Sequence, residues 1–195
     1  RTFLDKATKY AVGGVTAVML LDQLSPKFLE AQVVKPDDGR IQQEHIEYAS
    51  PNGYGKMRGY LARPKAAGRA PGVLVIHENR GLNPHIEDIA RRLAVDGFIA
   101  FAPYALFPLG GSPGDEDKAR ELFAKLDQAK TRADFVEAAD ILKKHKDGNG
   151  RVGVVGFCYG GGIANYLATA LPTLDAVVAF YGAQPRAAEV GKIKA

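Results

Sequence analysis

Short apolar runs punctuate this chain at regular intervals: Val73-Leu74-Val75-Ile76, Phe98 to Ala102, the segment Arg151 to Phe157, and Ala176 to Tyr181. Runs of this length, without polar alternation, suit strands covered on both faces, as in the centre of a parallel sheet. Between them the period changes. After Asn83, which can cap a helix, and Pro84, which fits its first position, Ile86, Ile89, Ala90 and Leu93 fall on one face before Gly97 ends the helix. Glu116 to Leu126 and Ala133 to Lys144 read as two further helices. Thr131 and Asp134 are placed like a capping box for the second, and Phe135, Ala138, Ala139 and Leu142 form its apolar stripe. Ile163 to Leu171 reads as a fourth helix. Upstream, His45 to Tyr48 and Lys56 to Arg63 flank the turn-forming Ser50-Pro51-Asn52-Gly53 and predict an opening hairpin. Ala105 to Asp115, with two prolines and three glycines, reads as a long loop of the kind that shapes binding sites. Strands alternating with helices at this spacing imply an α/β domain, a mainly parallel sheet flanked by helices.

The domain is expected to occupy residues 41–195. Gln32 to Arg40, polar and containing Pro36 and Gly39, reads as a linker, and residues 1–40 as an N-terminal helix or targeting segment plus that linker. The chain opens on Arg1 and carries an apolar run from Tyr10 to Leu21, which contains Gly13 and Gly14, is too short to span a bilayer as a helix, and is closed by Asp22. With an arginine before Arg1 the segment would resemble a twin-arginine export signal cleaved near Ala31; otherwise it is a retained apolar helix. Cytoplasmic and periplasmic locations both stay open.

Composition narrows the function classes. The 195 residues are 46% hydrophobic and 25% charged, with a net charge of +4 scattered rather than gathered into a stripe. Nucleic-acid binding is not indicated. The densest basic cluster, Lys143-Lys144-His145-Lys146, sits where a helix C-terminus favours cations. One cysteine, Cys158, excludes an internal disulfide and any cysteine-based structural metal site.

That cysteine carries the chemistry. Gly156-Phe157-Cys158-Tyr159-Gly160 lies where a predicted strand meets a predicted helix, the context of a G-x-nucleophile-x-G elbow. The nucleophile of such an elbow occupies a strained turn, and Gly156 and Gly160 leave room where side chains would collide with backbone. The turn presents sulfur above a helix N-terminus, whose dipole favours thiolate. The other reading is a buried, inert cysteine in a glycine-rich turn. Gly160-Gly161-Gly162 has no lysine of a phosphate loop and no dinucleotide spacing. Oxyanion donors in this arrangement come from the backbone N–H after the nucleophile and from the loop after an earlier strand, matching Tyr159 and Asn79. Glu78, at the end of an apolar strand, would face the crevice in which ligands of α/β sheets bind, unless an ion pair with Arg80 or Arg91 explains it. His77 beside it is expected to be a satisfied structural histidine.

Taken together, His77-Glu78-Asn79-Arg80-Gly81-Leu82-Asn83, then Gly156-Phe157-Cys158-Tyr159-Gly160-Gly161, resemble the dienelactone hydrolase family of the α/β-hydrolase superfamily. The resemblance covers residues 41–195, and the N-terminal helix is similar to that of a longer bacterial branch. It implies hydrolysis of a small-molecule ester or lactone through an acyl-thioester, without metal or organic cofactor. It further implies that Cys158 is the nucleophile, that Glu78 holds or activates the thiol, and that the backbones of Asn79 and Tyr159 stabilise the oxyanion.

The sequence departs from that pattern in one respect. In the α/β-hydrolase fold the order is nucleophile, acid, histidine. After Cys158 there are only Asp175, Glu189 and no histidine; His45, His77, His85 and His145 all precede it. The strands that carry the acid and histidine are expected beyond Ala195, and the strand Ala176 to Tyr181 is expected to present an uncovered edge open to self-association. Several readings follow: part of a complete cysteine hydrolase, a catalytically silent fragment, a binding module completed by a partner, or a thiol redox sensor.

Overall fold

The computed structural model describes residues 32–66 and 68–195. The apolar run Tyr10 to Leu21 and the cleavage position at Ala31 lie outside the described residues. The opening pair is a hairpin of β1 (Ile41–Ser50) and β2 (Gly55–Pro64), which extends beyond the expected runs at both ends. Then follow β3 (Ala70–Ile76), α1 (Pro84–Val95), β4 (Ile99–Pro103), a single 3-10 turn (Phe107–Leu109) and α2 (Glu116–Phe123). The rest comprises α3 (Gln128–Lys143), β5 (Gly148–Gly156), α4 (Tyr159–Ala170), β6 (Ala176–Ala179) and a 3-10 segment (Ala187–Lys192).

The six strands form one sheet in the order β1-β2-β4-β3-β5-β6. β1 and β2 pair antiparallel, as do β2 and β4, whereas β4, β3, β5 and β6 run parallel. The continuous apolar character of the central strands follows from cover on both sides. Leu74, Ile76 and Phe101 face one core with residues from α2, α3 and α4, while Val75, Ala100 and Ala102 face a second core beneath α1. α1 begins as its sequence predicts: Asn83 Oδ1 accepts from the Ile86 N–H at 3.0 Å, with Pro84 in the first turn. Such a cap contributes about 1 kcal/mol.

Three expectations are corrected. The Gln32–Arg40 stretch is not a free linker, because Val34 is buried against α1. Its N–H donates to Asp88 Oδ1 at 2.8 Å and its carbonyl accepts from Arg91 Nε at 2.7 Å, so the fully buried Arg91 anchors the entry to the domain. α3 starts at Gln128, not Ala133. Its cap is Asp127, accepting from the Ala129 and Lys130 N–H groups at 2.9 and 3.2 Å, while Asp134 is buried and accepts from Tyr54 N–H behind the hairpin. β6 ends at Ala179, not Tyr181, and of the two expectations for this run the uncovered edge holds while cover on both faces does not. It occupies the sheet edge among the described residues, with Val178 exposed and Phe180, just after it, 63% exposed. No described helix is long and apolar enough to cross a membrane.

Candidate active site

β3 and β5 are neighbours, and their C-terminal ends deliver two loops to the same edge of the sheet. β5 turns into α4 within two residues. Cys158 sits in that turn at φ 57° and ψ −114°, the one non-glycine residue with positive φ among the described residues. Such a conformation costs on the order of 1–3 kcal/mol and persists only where the surroundings enforce it.

Here the enforcement is steric and backbone-borne. A Cβ at Gly156 would overlap the Gly160 carbonyl, and one at Gly160 would overlap the Ile76 carbonyl at the end of β3. Hydrogen bonds from Phe157 N–H to Ile76 O (3.1 Å), Gly160 N–H to Phe157 O (2.9 Å) and Gly162 N–H to Cys158 O (3.2 Å) close the turn. Two glycines outside the G-x-C-x-G core of the motif also take part. A Cβ on Gly161 would overlap the Tyr181 carbonyl, and one on Gly182, at φ 149°, would overlap the Cys158 carbonyl. The thiol itself is half-buried.

The loop after β3 carries the second group. Glu78 is half-buried, and its Oε1 accepts a 2.7 Å hydrogen bond from the hydroxyl of Tyr181. That bond, with burial and the nearby charges of Glu78 and Cys158, pushes the Tyr181 hydroxyl up to about 12. The ion pairs considered for Glu78 are made elsewhere. Arg80 reaches Glu116 at 2.9 Å, and Arg91 lies 3.8 Å from Asp88 and 4.0 Å from Glu87. Sequence reasoning read Tyr181 only as the end of a strand and missed its bond to Glu78, 103 positions away; its only signal is its place at the end of an apolar run and before a glycine.

His77 is fully buried. Its Nδ1 lies 2.6 Å from the Glu78 carbonyl and its Nε2 accepts from the Ala105 N–H at 3.2 Å, an arrangement that puts the ring proton on Nδ1. Burial pushes its titration down to about 4, against the opposing effect of the Glu78 carbonyl. With both nitrogens engaged, His77 cannot take a proton from the thiol. Of the other histidines, His45 lies on β1, His85 on α1 and His145 just before β5.

The two candidate oxyanion donors behave alike. Tyr159 is the first residue of α4, and its side chain turns away: the ring meets Phe123 edge-on at 4.5 Å and the hydroxyl donates to Gln128 Oε1 at 2.8 Å. Asn79 is exposed. Neither the Tyr159 N–H nor the Asn79 N–H has an acceptor among the described residues. A groove of about 790 Å³ lies elsewhere, on the α1 side, lined by Ile89, Leu93, Val155, Val178 and Phe180, and includes neither Cys158 nor Glu78. No cluster of three or more potential metal ligands occurs among the described residues.

A mainly parallel sheet with helices on both faces, and a strained cysteine at the strand-to-helix turn beside a carboxylate loop, define an α/β-hydrolase fold. The sequence profile of the dienelactone hydrolase family matches residues 57–195, and the chain belongs to that family. It is 52% identical over 114 residues to "Putative hydrolase fragment YghX" of Escherichia coli K12, covering 58% of this chain and 97% of that protein. It is 37% identical over 142 residues to a "Putative carboxymethylenebutenolidase" of Synechocystis, covering 68% of this chain and 56% of that one. The chain thus spans about half the length of the carboxymethylenebutenolidases it matches. Among solved structures it resembles a dienelactone hydrolase-like promiscuous phosphotriesterase from metagenomic libraries, with a TM-score of 0.66 at 28% identity, over 80% of this chain and 66% of that one.

Proposed function

We propose that this chain carries the nucleophile half of a cysteine hydrolase acting on a small ester or lactone. The observation that supports this reading best is Cys158 itself, the lone non-glycine residue held at positive φ among the described residues, half-exposed at the head of α4. Unneeded strain of this kind would be relieved by a glycine, whereas a nucleophile gains from being raised clear of the sheet.

In the proposed reaction the Cys158 thiolate attacks the carbonyl carbon of the substrate. A C–S bond forms and the carbonyl π pair moves to oxygen, where the N–H groups of Asn79 and Tyr159 receive it. Collapse breaks the C–O bond and releases an alkoxide, which must gain a proton. Water then cleaves the thioester and returns the carboxylic acid and the thiol. Glu78, steadied by Tyr181, governs the thiol before substrate arrives. Protonating the alkoxide and activating water need a further acid-base group, and His77 is occupied, so in this reading that group comes from outside the described residues.

The test is acylation. Mixed with p-nitrophenyl acetate, the protein is expected to release a burst of about one equivalent of p-nitrophenolate and to gain one acetyl group, found on Cys158 by peptide mass. C158A is expected to lose the burst; an undiminished burst in that variant refutes the mechanism.

A further inference from the structure

The loop that carries Glu78 and Asn79 has no strand or helix to fix it, yet one of its peptides is clamped. The Glu78 carbonyl accepts from His77 Nδ1 at 2.6 Å and from the Gly81 N–H at 3.3 Å. Across a planar trans peptide the C=O and the next N–H point in opposite directions. Binding the Glu78 oxygen to a buried ring therefore turns the Asn79 N–H away from the core, and that N–H has no acceptor among the described residues. The ring cannot yield. The Ala105 N–H donates to its Nε2 from the opposite side, and Phe123 and Phe135 pack edge-on against it at 6.0 and 6.4 Å.

We propose that His77 is the positioning residue of this site: a neutral imidazole that holds the Glu78 carbonyl inward through Nδ1–H and so aims the Asn79 N–H at the oxygen of the group that Cys158 attacks. The inference rests on the proposed role of Asn79 as an oxyanion donor. It assigns His77 no contact with substrate and no proton transfer.

Two isosteres separate the two halves of the clamp. His77→Asn keeps an amide donor where Nδ1 stands and loses the partner of Ala105. His77→Gln places its amide where Nε2 stands, keeping a partner for Ala105 and losing the donor to Glu78. The probe is 1,1,1-trifluoroacetone, read by fluorine NMR on the whole protein. Cys158 sulfur adds to its carbonyl carbon, the π pair goes to oxygen, and the thiol proton goes to solvent, so capture needs an oxyanion site but no turnover. A control alkylation by iodoacetamide displaces iodide from a saturated carbon and forms no oxyanion.

H77Q is expected to weaken capture roughly tenfold or more, and H77N to stay within about threefold of the parent protein. Both are expected to keep the iodoacetamide rate within about twofold, which a general loosening of the site would not permit. Equal capture by both variants, or no capture by the parent protein, overturns the proposal. Capture that follows the expected order in a protein showing no acyl burst upholds the role of His77 and removes the hydrolase reading, so the two failures are distinguishable.

Discussion

The two loops at this edge of the sheet leave adjacent parallel strands and are built by opposite means. The β5–α4 turn is held by the absence of side chains: at Gly156, Gly160, Gly161 and Gly182 a Cβ would overlap a carbonyl of a neighbouring segment. The loop after β3 is held by the presence of one, the buried ring of His77 bridging Glu78 and Ala105. The first is set by backbone contact and tolerates no growth. The second is set by two hydrogen bonds and a protonation state, so it is open to pH. A site assembled from both has its cysteine, the proposed nucleophile, placed by steric exclusion and an opposing loop placed by hydrogen bonding.

Changes in the turn should have the largest effect. Gly160→Ala drives a methyl into the Ile76 carbonyl and is expected to cost about 3 kcal/mol or more, read as loss of the cooperative urea transition. Retention of the parent stability would show that the two strand ends can separate, and would break the contrast between the loops.

The loop after β3 should respond to acid. Burial holds His77 below its ordinary titration, at about 4, whereas the unfolded chain titrates near 6.5. Between those values the unfolded state binds the extra proton, so stability is full above pH 6.5 and falls as pH drops towards 4, by roughly 3 kcal/mol at most. His77→Gln removes that slope. Unfolding free energies at pH 7 and 4.5 for both proteins isolate it from the other histidines; parallel profiles would refute it.

Smaller effects sharpen the comparison. Cys158→Gly relieves the positive φ at some cost in chain entropy and is expected to stabilise the protein by about 1 kcal/mol while abolishing acylation. Tyr181→Phe removes one exposed hydrogen bond to Glu78 and is expected to change stability by less than about 1 kcal/mol. The same substitution should alter the iodoacetamide rate at Cys158 if, as proposed, the Glu78 carboxylate that the bond steadies governs the thiol. An unchanged rate would separate Glu78 from the thiol.

Where a strand is buried on both faces its sequence shows it, and β3, β4 and β5 were legible as continuous apolar runs. α1 was legible from its cap, although its burial is rotated: Ile86, Ala90 and Ala94 are buried, while Ile89 and Leu93 line the groove. The start of α3 was misread because Asp134 resembles a capping residue but answers to the hairpin, 80 positions away, through Tyr54. The docking of Val34 was hidden in a polar stretch, since its partners Asp88 and Arg91 are charged residues that look solvent-facing in sequence. The apolar run at Ala176 promised both cover on its two faces and an uncovered edge, and only the edge is found among the described residues.

Alone, the sequence determined what depends on neighbours along the chain: the alternation of strand and helix, and a cysteine flanked by glycines in a strand-to-helix turn, where sterics act within a few residues. Tertiary structure decided what depends on distant segments meeting. It brought Tyr181 to Glu78, set Gly182 against the Cys158 carbonyl, and gave Ala105 to His77. Hydrogen bonds and close backbone approaches between remote segments leave no periodicity to read, because each partner satisfies a local pattern of its own.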